Sequence, residues 1–245
     1  MSDFFEQISV YQEAVFSIVF SFLSYAFFLL ALNSHQIRKR LERKFGKEKT
    51  KIYRTLLQRG TGILLYGIIP AFLFSLVFSK KFSAYGLAFK NFTESLLWTL
   101  ALSLVIIPIN FKTAKNPSYH KKYPEIQTAE WDAGLLFISA FSWILYLFAY
   151  EWLFRGVLFF SCLRSFGLWP AVLINIVIYT AFHLHKGWKE MVGSVFLGFI
   201  FCLLTYKTGT LWTSFFSHAI LALSNEWLSI YFNPQMKIKR RGKTK

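Results

Sequence analysis

A carboxylate and a guanidinium, Glu151 and Arg155, stand four residues apart in the stretch FAYEWLFRG, residues 148–156. Its flanks, WILYL and VLFFSCL, are apolar enough to lie in lipid. On a helix that spacing sets both charges on one face about one turn apart, so they can pair. A charge at the bilayer centre costs roughly 2.5–3.5 kcal/mol on insertion scales, and pairing toward the bundle interior offsets much of this, so such residues are functional candidates by default. A buried ion pair that only holds helices together is the competing structural reading. Three more polar features lie in or beside the last spans: Asn175, His183 with His185, and His218 followed by Asn225 and Glu226. A glutamate can take a proton from water while imidazoles stabilise an oxyanion or pass the proton on. Glu151, His183 and His218 also have the ligand types of a zinc site with water as fourth ligand. They come from three segments with no H-E-x-x-H arrangement, so spacing does not decide between the two chemistries, and a metal-free mechanism without cofactor is the preferred expectation.

The elements that must position these groups follow from composition. With 55% hydrophobic and 16% charged residues the chain is expected to be a polytopic membrane protein, an all-α helix bundle forming a single domain over residues 1–245. Seven apolar stretches serve as spans: 15–32, 63–78 (interrupted by Pro70), 94–109, 134–163, 171–185 after Pro170, 191–206 and 211–232. The fourth exceeds the usual length and should tilt or begin as an interfacial helix. Ser194, Gly198 and Cys202 form a small-residue stripe for close helix packing. Cys202 and Cys162 read as small buried hydrophobes.

The net charge of +16 is concentrated in blocks, which orient helices rather than bind nucleic acid. Residues 35–60 carry ten Lys or Arg against two Glu and are expected as a solvated amphipathic helix on anionic headgroups. Residues 111–132 are too polar to insert, and His120 there should be an ordinary exposed side chain. With seven crossings, segments 35–60, 111–130, 185–190 and the tail 233–245 fall on one side and hold 22 of the 28 Lys and Arg. That predicts an outside amino terminus and a cytoplasmic carboxyl terminus.

In order and spacing these residues resemble the CPBP intramembrane proteases, the CAAX prenyl protease type II or Abi, bacteriocin-processing family. The family pattern is E-E-x-x-x-R on one helix, F-x-x-x-H on the next and H-x-x-x-N on the last. Here YEWLFR (150–155), YTAFH (179–183) and His218 match it, within roughly residues 90–227. The resemblance implies an intramembrane endopeptidase with Glu151 as base, His183 and His218 as oxyanion or proton partners, and Arg155, Tyr150, Tyr179, Asn225 and Glu190 in support. It implies a peptide or prenylated-protein substrate and contact with membrane lipid; a bacterial-type plasma membrane is the expected location. Tyr150 stands where the family has its first Glu, the residue generally regarded as activating water, and Ala222 stands where Asn is common. One residue turns a helical side chain by about 100°, so either Glu151 is the working base of a variant subgroup or hydrolysis is lost. The alternative is then a catalytically impaired member acting as a membrane peptide-binding, immunity or assembly factor. A proton-coupled transporter ranks last, since no inverted repeat is visible. In an idealised layout Glu151, His183 and His218 differ in depth by roughly 10–15 Å, so the helices must tilt or an inner-side cavity must form.

Overall fold

A computed structural model describes residues 2–239, with side chains from residue 11. Seven long helices follow one another: α1 (Ser2–Leu32), α2 (His35–Phe78), α3 (Phe92–Ala114), α4 (Ala133–Phe166), α5 (Leu168–Ala181), α6 (Trp188–Thr208) and α7 (Trp212–Phe232). Among the described residues α1 to α4, α5 taken together with the turn after it to Lys186, and α6 meet the length and apolarity needed to cross a membrane. The seventh has the same 21-residue length as α6 but carries more buried polar side chains, Ser217, His218, Asn225 and Glu226 among them. Six of the seven sequence spans coincide with a helix to within a residue; the fifth, 171–185, runs four residues past the end of α5 into a 3-10 turn. Large apolar side chains such as Leu30, Phe89 and Leu104 face outward, as they do on a protein whose solvent is lipid.

Local sequence explains the punctuation. Ser34 accepts a hydrogen bond from the Ile37 amide and Asp132 one from the Leu135 amide, capping α2 and α4. Gly167, at φ 79°, turns α4 into α5 in a single residue, a backbone conformation that side chains disfavour. The fourth helix runs without interruption over 34 residues, longer than the roughly 30 Å hydrocarbon core requires. It packs on α1, α2, α5 and α7 and forms the centre of the bundle. Both α2 and α4 widen into π-helix, at Ile63–Ile68 and Trp152–Leu158, and these two stretches touch.

Two expectations need correction. The basic segment 35–60 is not a separate interfacial helix: it kinks at Gly46 (φ 77°, ψ 166°) and then continues as one rod into the second span. Its Arg59 is not solvated. The guanidinium is buried, stacks 4.2 Å from the Trp143 ring centroid, and donates to Glu226 (3.1 Å), Ser142 Oγ (2.8 Å) and the Ser139 carbonyl (2.9 Å). Glu226 in turn accepts from Trp143 Nε1 at 2.6 Å and from the Ser139 hydroxyl. His120 is half-buried rather than exposed, its Nε2 hydrogen-bonded to the Ala114 carbonyl at 2.7 Å.

The basic segments meet at one end of the bundle. Two-residue strands β1 (Glu130–Trp131) and β2 (Lys237–Ile238) pair in parallel, tying the loop before α4 to the chain after α7. Lys122 donates to the Lys186 carbonyl at 2.8 Å, and Arg59 reaches Glu125 at 3.3 Å. The tail beyond Lys239 lies outside the described residues. Elsewhere in the bundle the buried Glu13 of α1 is held by Lys80 and Arg164, each at 2.6 Å.

Removing one partner of the buried Arg59–Glu226 pair should destabilise strongly. Glu226→Ala is expected to lose about 3 kcal/mol in denaturant titration of detergent-solubilised protein. The double replacement Arg59→Met with Glu226→Leu is expected to lose less than either single change, because it leaves no uncompensated buried charge.

Candidate active site

At the π-helical stretch of α4 the helix carries one extra residue per turn, which frees a carbonyl and re-aims the side chains around it. Asn175 of α5, fully buried, donates to the Phe154 carbonyl at 2.6 Å and so satisfies the backbone of that stretch. Glu151 is the last residue before it and Arg155 lies within it. Both are fully buried, with Arg155 Nη1 3.3 Å from Glu151 Oε2. The guanidinium is otherwise covered by aromatic faces, 4.1 Å from the Tyr179 ring centroid and 5.3 Å from that of Phe201.

The other carboxylate oxygen, Glu151 Oε1, accepts from His218 Nδ1 of α7 at 2.6 Å. A charge-assisted bond of this length fixes the imidazole and leaves its Nε2 free. His183, beyond the end of α5, bonds through Nδ1 to the Tyr179 carbonyl at 2.9 Å. A carbonyl only accepts, so Nδ1 carries the proton and Nε2 is again the available acceptor. Tyr150 lies between the two imidazoles, edge-on to each, with ring centroids 5.7 Å from His218 and 6.2 Å from His183. Its hydroxyl is buried without a hydrogen-bond partner.

His183, His218 and Tyr150 line one cavity of about 440 Å³ inside the bundle. Glu151 does not line it; the carboxylate sits behind His218. One wall is apolar, built from α3 residues such as Leu102, Val105 and Ile109 facing Phe196, Leu197 and Ile200 of α6. Val105 and Phe196 are themselves exposed on the bundle surface, so the cavity reaches the lipid-facing side between these two helices. The opposite character prevails at the basic end, where Lys186, Lys189, Glu190, Asn225, Tyr119 and Tyr123 line it.

The sequence-derived residues therefore separate into groups. Glu151, Arg155, His218 and Tyr179 form one contiguous cluster, and His183 and Tyr150 share its cavity. Asn225 and Glu190 line that cavity too, but Glu190 is held by the loop, accepting from Tyr123 at 2.9 Å and lying 3.7 Å from Lys122 Nζ. Burial pushes the Tyr123 phenol well above its ordinary pKa, so it stays a donor to that carboxylate. His185 sits at the cavity's edge, 3.4 Å from the Tyr25 hydroxyl. Ala222 lines the cavity as a methyl group. The small-residue stripe faces α5: Ser194 Oγ lies 3.4 Å from Thr180 Oγ1, and Gly198 abuts Tyr179. Nothing in the sequence pointed to Tyr119 and Tyr123, which come from a polar loop without periodicity. Among the described residues no three His, Cys, Asp or Glu side chains are grouped to hold a metal ion. Glu151 Oε1 is occupied by a histidine nitrogen, so no step is derived through zinc.

Comparison with known proteins agrees with the motif resemblance. Residues 132–224, from the cap of α4 to the middle of α7, match the family model described as type II CAAX prenyl endopeptidase, Rce1-like. No curated protein and no solved structure matches the chain. With the apolar helices, the match makes this an integral multi-pass membrane protein.

A Cβ on Gly198 would stand 3.1 Å from Tyr179 Cδ1 and 3.7 Å from Arg155 Nη2, whereas one on Gly193 meets nothing within 4 Å. Gly198→Val is therefore expected to destabilise by about 1–3 kcal/mol through overpacking beneath the Arg155 shelf. Gly193→Ala is expected to be neutral or slightly stabilising, as thermal unfolding in detergent will report.

Proposed function

We propose, for a membrane protein whose residues 132–224 match the type II CAAX prenyl endopeptidase Rce1-like family model, that it hydrolyses a peptide bond within the cavity bounded by His183 and His218. The observation that carries this reading is the 2.6 Å bond between Glu151 and His218, which turns a free imidazole nitrogen toward a cavity shared with a second imidazole. A non-catalytic member would be favoured by a Glu151 locked onto Arg155 and remote from both histidines, and here the carboxylate touches His218.

In this reading the Glu151–His218 pair accepts the proton of an attacking water. The water oxygen bonds to the carbonyl carbon and the π electron pair moves onto the carbonyl oxygen. His183 stabilises that oxygen by hydrogen bonding, in its protonated form or through a bridging water. As the C–N bond breaks, the pair returns the proton to the leaving amine. Arg155 holds Glu151 in place and compensates its charge in a site that excludes water. The apolar wall between α3 and α6 suits a substrate bearing a lipid group and entering from the bilayer, such as a prenylated peptide. The basic end faces the cytoplasm of a bacterial-type plasma membrane by the positive-inside rule, with the amino terminus outside.

The test is cleavage of a panel of farnesylated carboxyl-terminal peptides by purified protein in nanodiscs, read by mass spectrometry. Glu151→Gln, His183→Ala and His218→Ala are each expected to lower kcat by at least about 10²-fold while the proteins elute as folded species. Cleavage that survives all three substitutions overturns the mechanism, and wild-type protein inert toward the whole panel overturns the activity. Treatment with 1,10-phenanthroline is expected to leave the rate unchanged; a loss restored by zinc would contradict the metal-free reading.

A further inference from the structure

Hydrogen-bond donors and acceptors do not balance around the two histidines. His218 spends Nδ1 on Glu151 and His183 spends Nδ1 on the Tyr179 carbonyl, so in its neutral form each imidazole offers a lone pair on Nε2 to the cavity they share. A lone pair suits a proton leaving an attacking water. It repels the negative charge that then collects on the carbonyl oxygen, which needs donors.

The phenol of Tyr150 is a donor without a partner. Its ring stands between the imidazoles, with centroids 5.7 Å from His218 and 6.2 Å from His183 and ring planes at 84° and 88° to theirs. Tyr150 lines the same cavity and is only 5% exposed, and its hydroxyl is buried with no hydrogen-bond partner among the described residues. Other phenols of the cavity wall are engaged, Tyr25 with His185 and Tyr123 with Glu190. Tyr66 also lacks a partner, but it is packed among Phe28, Tyr146, Tyr150 and Phe182. A buried hydroxyl is costly to leave unbonded, so one held between two candidate catalytic groups is placed for an acceptor that arrives with the substrate. Position 150 is also where the resembling motif carries its first glutamate. An ionised carboxylate there can only accept, whereas a phenol donates, so tyrosine changes the chemistry available at this position.

We infer that Tyr150 is a catalytic residue, the donor that stabilises the carbonyl oxygen as negative charge develops on it. This rests on the peptidase reading above and supplies a hydrogen bond that neutral His183 cannot. As the water oxygen bonds to the carbonyl carbon, the π electron pair moves onto the carbonyl oxygen and the phenol O–H bonds to it. When the C–N bond breaks, that pair re-forms the C=O bond. The phenol keeps its proton throughout.

The experiment compares full-length wild-type protein with Tyr150→Phe in nanodiscs, using a farnesylated peptide substrate and a farnesylated peptide whose scissile carbonyl is a trifluoromethyl ketone. The hydrate of that ketone mimics the tetrahedral adduct. Tyr150→Phe keeps the ring, and it is expected to lower kcat about 10²-fold, leave KM within about twofold, and weaken the ketone by about the same factor as kcat/KM. Because the phenylalanine variant could fail to fold, 4-fluorophenylalanine and 4-aminophenylalanine at position 150 provide a second pair close to tyrosine in shape. The amino side chain, which keeps a donor, should restore tight ketone binding, and the fluoro side chain should not. An unchanged kcat in Tyr150→Phe, equal weakening of substrate and ketone, or identical ketone binding by the fluoro and amino proteins overturns the role of the hydroxyl and leaves the peptidase reading standing. Wild-type protein that cleaves no peptide and binds no ketone overturns both.

Discussion

The fully buried carboxylate of Glu151 is the constraint around which the bundle is arranged. An ionised group in a medium that excludes water must be surrounded by partners, and Glu151 has one on each oxygen: Arg155 one turn along its own helix and His218 from α7. The first partner is local and guaranteed by the i, i+4 spacing. The second is long-range, and it fixes how α7 rotates and slides against α4. Once that bond is made, the free nitrogen of His218 and the ring of Tyr150 turn to the same cavity, and His183 completes it from the turn just beyond α5.

The guanidinium needs support of a different kind, since Glu151 supplies only one of its contacts. Tyr179 and Phe201 cover it with aromatic faces, and Gly198 lets α6 come close enough to place Phe201 there. Tyr179 thus acts twice: its ring lies against Arg155 and its carbonyl orients His183. The π-helical turn is part of the same arrangement. It displaces the backbone after Glu151, and the amide of Asn175 takes up the carbonyl of Phe154.

Seven helices were legible because lipid imposes a length and an apolarity that composition reveals directly; only the fifth span overran its helix, ending in the turn after Ala181. Glu151, Arg155, His183 and His218 were legible for the complementary reason: a titratable side chain in an apolar stretch stands out. Arg59 was hidden because it sits in a run of ten basic residues, where the solvated reading fits nine of them; its partner Glu226 is 167 residues away, and no local pattern links them. Depth counted along straight helices separated Glu151, His183 and His218. The π-helical turn in α4, together with the inner-side cavity that takes in residues from α4, α5 and α7, brings the two histidines around Tyr150.

Two buried clusters hold the bundle at different places for different reasons. Glu13 with Lys80 and Arg164 ties α1 to the far ends of α2 and α4. Arg59 with Glu226, Ser139 and Trp143 ties α2 to α4 and α7 near the basic end. In both, the buried carboxylate is held by several donors and no partner turns an uncommitted polar atom to the cavity, so they behave as fasteners. The Glu151 cluster differs in one respect. Its outermost member, His218, keeps a ring nitrogen uncommitted where the bundle is hollow, and a polar atom left free beside a cavity is placed to meet whatever enters it. Burial and an ion pair are common to all three clusters; the open valence of His218 at the cavity is what gives this one the means for chemistry.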